Sequence, residues 1–221
     1  MIQRNDAGVR RAKPAGCLNA ITKNDWQMLL KGASADAVQR LNDEPELRTT
    51  QAENMRELLA TACQAVREGY LKKPDIADEL EEIRDETVAF EYERSVTKDK
   101  NAAPFSSITE KRVEAFYAAP GNEQKFSSYI EEKLERLREK GDIHPDYKLK
   151  DGERAEAREE FAKVEIAGAD SRKMTRAAAA KFWPEANLKV KLQQARFLVR
   201  EFSQTLADRI RATDDEIAGY V

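Results

Sequence analysis

Histidine occurs once in these 221 residues and cysteine twice, and no apolar run approaches the roughly 20 residues of a membrane helix. Each scarcity removes a class of function. A Ser–His–Asp or Cys–His relay would have to use His144, which lies in the polar segment DIHPDY with no nucleophile placed beside it. Di-iron bundles need Glu-x-x-His on two helices, and zinc centres need Cys or His in number. The nine glycines form neither G-x-G-x-x-G nor a P-loop. No catalytic residue, metal ligand or cofactor is therefore expected. No stretch alternates apolar and polar residues long enough for a sheet, and aromatics make up only 7%.

What is abundant is charge. Lys and Arg number 38, Asp and Glu 41, for a net charge of −3, and this balance argues against a dedicated nucleic-acid binder. The chain is long enough for one sizeable domain or two small ones. The first twenty residues lack the apolar core of a signal peptide, so the expectation is a cytoplasmic protein or a mature form whose leader has been removed. Cys17 and Cys63 leave one disulfide open; the preferred reading makes Cys63 a small buried apolar side chain.

Apolar spacing predicts an all-α fold of about seven helices with long loops. Residues 1–20 read as a flexible arm and 21–221 as one helical domain, with 118–183 as an inserted or second helical block. Thr22 caps a first helix, with Asp25 at the capping-box position, Trp26, Leu29 and Leu30 inward, and Gly32 stopping it where a C′ glycine would. A short helix follows over 34–41, and Pro45 opens another to about Gly69, striped by Met55, Leu58, Leu59, Ala62, Cys63 and Val66. Pro74 opens the next, to about Ser95, with Ile76, Leu80, Ile83, Thr87 and Phe90 buried. After the loop TKDKNAAPFSS, a helix from Thr109 turns Val113, Phe116 and Tyr117 inward. Phe126, Tyr129, Ile130, Lys133, Leu134 and Leu137 stripe another that ends at Gly141. GDIHPDYKLKDG is loop, 153–182 is helical with a break near Gly168 to Ser171, and Pro184 opens a final helix to about Arg209.

Two acidic clusters, at 78–86 and 131–139, invite a search for paired carboxylates. Glu131, Glu132 and Glu135 mix with Lys133, Arg136 and Arg138 at helical spacing, so both clusters read as solvated faces. Among the aromatics near helix ends and loop edges, Phe116, Tyr117, Phe126 and Tyr129 are the candidate peptide-binding residues.

The order of parts repeats. TEKRVEAFY at 109–117 and TDDEIAGY at 213–220 share Thr, an aliphatic four residues on and an aromatic seven on, and each follows a proline-started helix. The second reads as a helix start placed where the chain stops, as if it bridged to a further module.

The segment NMRELLATACQAVREGYLKKPDIADELEEIRDETVAFEYERSV, followed later by ATDDEIAGYV, resembles the helical chaperone region of SurA-like, parvulin-type peptidyl-prolyl isomerases. The likeness covers 47–117 and 184–221. It implies a periplasmic, ATP-independent holdase that binds unfolded or outer-membrane client polypeptides in a shallow apolar groove. The family's parvulin domain is an α/β unit with paired histidines, which this chain lacks, so the resemblance implies chaperone function without isomerase activity. Two other readings carry their own expectations. A scaffold docking one partner expects a flat patch and no affinity for unfolded chains. An enzyme hidden in the carboxylates expects a pocket with convergent Glu residues and a shifted pKa.

Overall fold

The structure is a computed structural model and describes residues 21–97 and 102–210. It is all-α: eight α-helices and one short 3-10 turn, with no strand among the described residues. The helices are α1 (Lys23–Lys31), α2 (Ala35–Asp43), α3 (Pro45–Arg67), α4 (Pro74–Thr97), α5 (Glu110–Ala118), α6 (Asn122–Glu139), α7 (Asp151–Ser171) and α8 (Arg176–Ile210). The expected arm at 1–20 and the helix start at Thr213 lie outside the described residues.

Local chemistry sets most boundaries. Thr22 Oγ1 accepts the Asp25 N–H and the Asp25 carboxylate accepts the Thr22 N–H, which closes a reciprocal capping box on α1. Ser34 caps α2, and Pro45 sits in the first turn of α3, where its missing N–H is no loss. Gly32 does end α1, but at φ −86° it uses none of glycine's left-handed freedom. Gly69, at φ +87°, does: it follows the C-cap of α3 and turns the chain into the 3-10 turn at Tyr70–Lys72.

The last helix departs from expectation. Pro184 lies inside α8 rather than at its start. The helix begins after Thr175, whose hydroxyl accepts the Ala178 N–H at 3.4 Å, and the alanines at 177–180 carry it through. The break before it falls at 172–175, slightly later than Gly168 to Ser171.

The chain divides into two compact units, Met1–Lys73 with Ala195–Val221, and Pro74–Gln194. The block at 118–183 is therefore part of a larger unit that begins at Pro74. In the first unit Leu59, Ala62, Cys63, Ala65, Leu198 and Phe202 are buried, and Tyr70 meets Phe202 edge to face at 5.6 Å. Cys63 is buried as expected, but it is also disulfide-bonded; the other cysteine, Cys17, lies outside the described residues.

In the second unit α4 is covered on two sides. Ala89 belongs to a cluster with Ile108, Val113, Ala162, Ile166 and Ala167, while Val88 belongs to another with Phe182, Ala186 and Val190. The expected stripe holds at Ile76 and Leu80, which are buried, and at the half-buried Ile83 and Thr87, but not at Phe90, which is 37% exposed, because a helix packed on two sides has no single apolar stripe. Glu93 is instead 2% exposed, and its carboxylate accepts the Ser107 N–H at 2.9 Å, tying α4 to the segment before α5.

Candidate functional site

The second unit contains a cleft of about 550 Å³ formed by three helices and one loop. Its walls follow from helical periodicity. On α4, Asp78, Glu81, Glu82, Asp85 and Glu86 recur at steps of three and four, and therefore share a face. On α7, Ala157, Glu160, Phe161, Val164 and Glu165 do the same. Helix α6 contributes Tyr129, Ile130, Glu132, Lys133, Leu134, Arg136 and Leu137, and the loop after it adds Ile143, Tyr147 and Leu149.

That loop is tied down. The Arg138 guanidinium donates to the Tyr147 carbonyl at 3.1 Å, and the Tyr147 hydroxyl donates to Glu153 at 3.1 Å. The apolar lining residues Leu134, Leu137, Ile143, Leu149, Phe161 and Val164 are all half-buried. They form a floor left partly open to solvent. Phe161 sits at the centre of an aromatic group, 4.9 Å from Tyr129 and 5.7 Å from Phe126.

Glu82 is the electrostatic anchor. One of its oxygens accepts the Tyr129 hydroxyl and the Lys133 ammonium, each at 2.6 Å, and the other accepts Arg136 at 2.8 Å. Desolvation pushes its carboxyl up. The hydrogen bonds from Lys133 and Tyr129, with the charges of Lys133 and Arg136, outweigh that and hold it below the usual range. Lys133 shows the mirror image: desolvation pulls it down, but its bonds to Glu82 and Tyr129 raise it above an ordinary lysine. One turn on, Glu86 goes the other way, raised first by desolvation and then by Glu82, with Glu160 and Glu79 adding to it.

A pocket with convergent carboxylates pushed in opposite directions is what the enzyme reading expects. The hydrogen bonds argue against it. Both Glu82 oxygens are occupied by donors from α6, which makes it a structural anchor rather than an available base. Structural ion-pair networks perturb pKa values in the same way. No grouping of metal-ligand type occurs among the described residues.

The four candidate aromatics separate. Tyr129 lines the cleft. Phe126 is 0% exposed and offers no surface to a peptide. Phe116 and Tyr117 are half-buried against the cluster around Ala89 and Ile108. Tyr117 donates its hydroxyl to the Arg158 carbonyl at 2.6 Å, has the Arg158 guanidinium 3.5 Å from its ring centre, and is pushed up to about 12 by desolvation. Glu131, Glu132 and Glu135 are exposed, as expected of a solvated face, but Glu82 in the 78–86 cluster is half-buried and meets Lys133 and Arg136 across the helices, 51 and 54 residues away. One signal was present in the sequence: Lys133 falls within the apolar stripe of α6, where a lysine needs a partner.

Compared with protein-family models, curated proteins and solved structures, the chain matches none of them.

Proposed function

We propose that this chain is an ATP-independent, holdase-type chaperone module that binds unfolded or outer-membrane client polypeptides. The observation that carries this reading is the cleft of about 550 Å³ with its half-buried apolar floor of Leu134, Leu137, Phe161 and Val164. Client side chains laid on that floor would gain roughly 25 cal/mol per Å² of apolar area, less the cost of ordering the chain. The balance gives weak, reversible binding, which suits a holdase. The disulfide-bonded Cys63 supports an oxidising compartment and hence an extracytoplasmic location. The resemblance to the helical region of SurA-like isomerases points the same way. The described residues have no strand and so none of that family's α/β catalytic fold.

The test is suppression of aggregation of a chemically unfolded model protein, without nucleotide. Suppression near stoichiometric ratios is expected, weakened by Leu137→Ser in a variant whose helical circular dichroism is unchanged. No suppression by a folded, monodisperse sample overturns the reading.

A second reading, a scaffold that docks one partner, draws on α4, where Phe90 and Val96 are 37% and 48% exposed. It expects binding to survive Leu137→Ser and to be lost in Phe90→Ser.

A further inference from the structure

We infer that the preferred occupant of the cleft is a cationic amphipathic peptide segment, with Lys or Arg interspersed among apolar residues. This rests on the reading of the cleft as a polypeptide site and narrows it to a class of client.

The argument begins with the distribution of charge. Over the whole chain the signs nearly cancel, 38 against 41. The cleft lining does not share that balance: it holds eight carboxylates and two cations. Both cations, Lys133 and Arg136, direct hydrogen bonds to the single carboxylate of Glu82. Asp78, Glu86, Glu132, Glu160 and Glu165 thus face the cleft from three different helices with no hydrogen bond from either cation, and the charge of Lys133 offsets the crowding at Glu86 only in part. The asymmetry is a product of the fold, because it takes α4, α6 and α7 together to assemble it.

The floor supplies the second requirement. A bare cation gains little from Leu134, Leu137, Phe161 and Val164, and a purely apolar segment leaves the carboxylates repelling one another. A segment carrying both kinds of side chain satisfies floor and rim together. Low-dielectric walls lined by one sign of charge focus the field and raise the encounter rate of the opposite sign. The crowding is visible in Glu86, where desolvation and then Glu82, joined by Glu160 and Glu79, outweigh the charge of Lys133 and work against its ionised form. A peptide ammonium among these groups would relieve the repulsion.

The test uses the full chain and three fluorescent peptides with the same apolar residues in the same order and Lys, Ser or Glu between them. Anisotropy titrations are expected to rank them Lys, Ser, Glu, with the Lys peptide about tenfold tighter than the Ser peptide at about 0.1 M salt. That ratio should shrink at about 1 M salt, where the Debye length falls from roughly 10 to roughly 3 Å. Spermine, charged but without apolar groups, should compete poorly. In Glu86→Gln with Glu160→Gln the preference for Lys over Ser should fall. Equal affinity for the three peptides, or a Lys preference unmoved by salt and by the double variant, overturns the inference and leaves the peptide-binding reading standing. Spermine competing as well as the Lys peptide itself also overturns it. No binding of any peptide removes both.

Discussion

Glu82 shows how a single side chain can hold two helices together, α4 and α6. Its carboxylate collects donors from Tyr129, Lys133 and Arg136, so removing its charge leaves a half-buried ammonium and guanidinium short of an acceptor. Glu82→Gln should cost about 1–3 kcal/mol in urea unfolding at neutral pH. Its pH dependence has a definite sign. The folded carboxyl sits below its usual value of 4.5, so its contribution is present above that value and lost as pH falls through the folded one. Glu86, raised in the folded state, contributes with the opposite sign. The difference between wild type and Glu82→Gln should therefore narrow when both are unfolded at pH about 3; a constant difference would show that Glu82 acts by shape alone. Phe126 has no surface at all, and Phe126→Ala should lose about 3–5 kcal/mol, read from the same denaturant curves. Glu93→Ala strands the Ser107 N–H and should cost about 1–3 kcal/mol, whereas Glu93→Gln keeps an acceptor there and should cost less.

At the scale of elements, caps and prolines were legible where their chemistry is local. Thr22 with Asp25, Ser34, Pro45 and Pro74 all mark helix starts, because a cap needs only a side chain and the backbone three residues on. Pro184 misled for the same reason: read locally, a proline opens a helix, yet here the alanines before it already carry α8. A proline inside a helix withholds the hydrogen bond to the carbonyl four residues back, that of Ala180. Pro184→Ala should thus stabilise the protein by about 1–3 kcal/mol, measured as a higher urea midpoint at unchanged slope. A loss of stability would mean that the ring's packing near Phe182 and Trp183 outweighs the missing bond. The opposite expectation holds for Gly69: at φ +87° any side chain is strained, and Gly69→Ala should lower stability by about 1 kcal/mol.

For the whole molecule, the division at Pro74 and Gln194 makes a prediction of its own. Residues 74–194 contain two buried clusters and the complete cleft lining, so expressed alone they should give a cooperatively melting helical protein that retains peptide binding. A molten product would show that the unit borrows stability from the rest of the chain. The all-α class and most helix boundaries were determined by the sequence alone. Periodicity, caps and composition act over a few residues, and their consequences can be read without knowing what packs where. Partnerships across the fold could not be read that way. Which face of α4 is buried depends on α7 and α8 covering two sides of it, and Glu82 finds its cations more than 50 residues away. The same clusters that look solvated along the chain become an unbalanced acidic wall over an apolar floor only when α4, α6 and α7 come together, because charge and burial are summed over neighbours in space, not over neighbours in sequence.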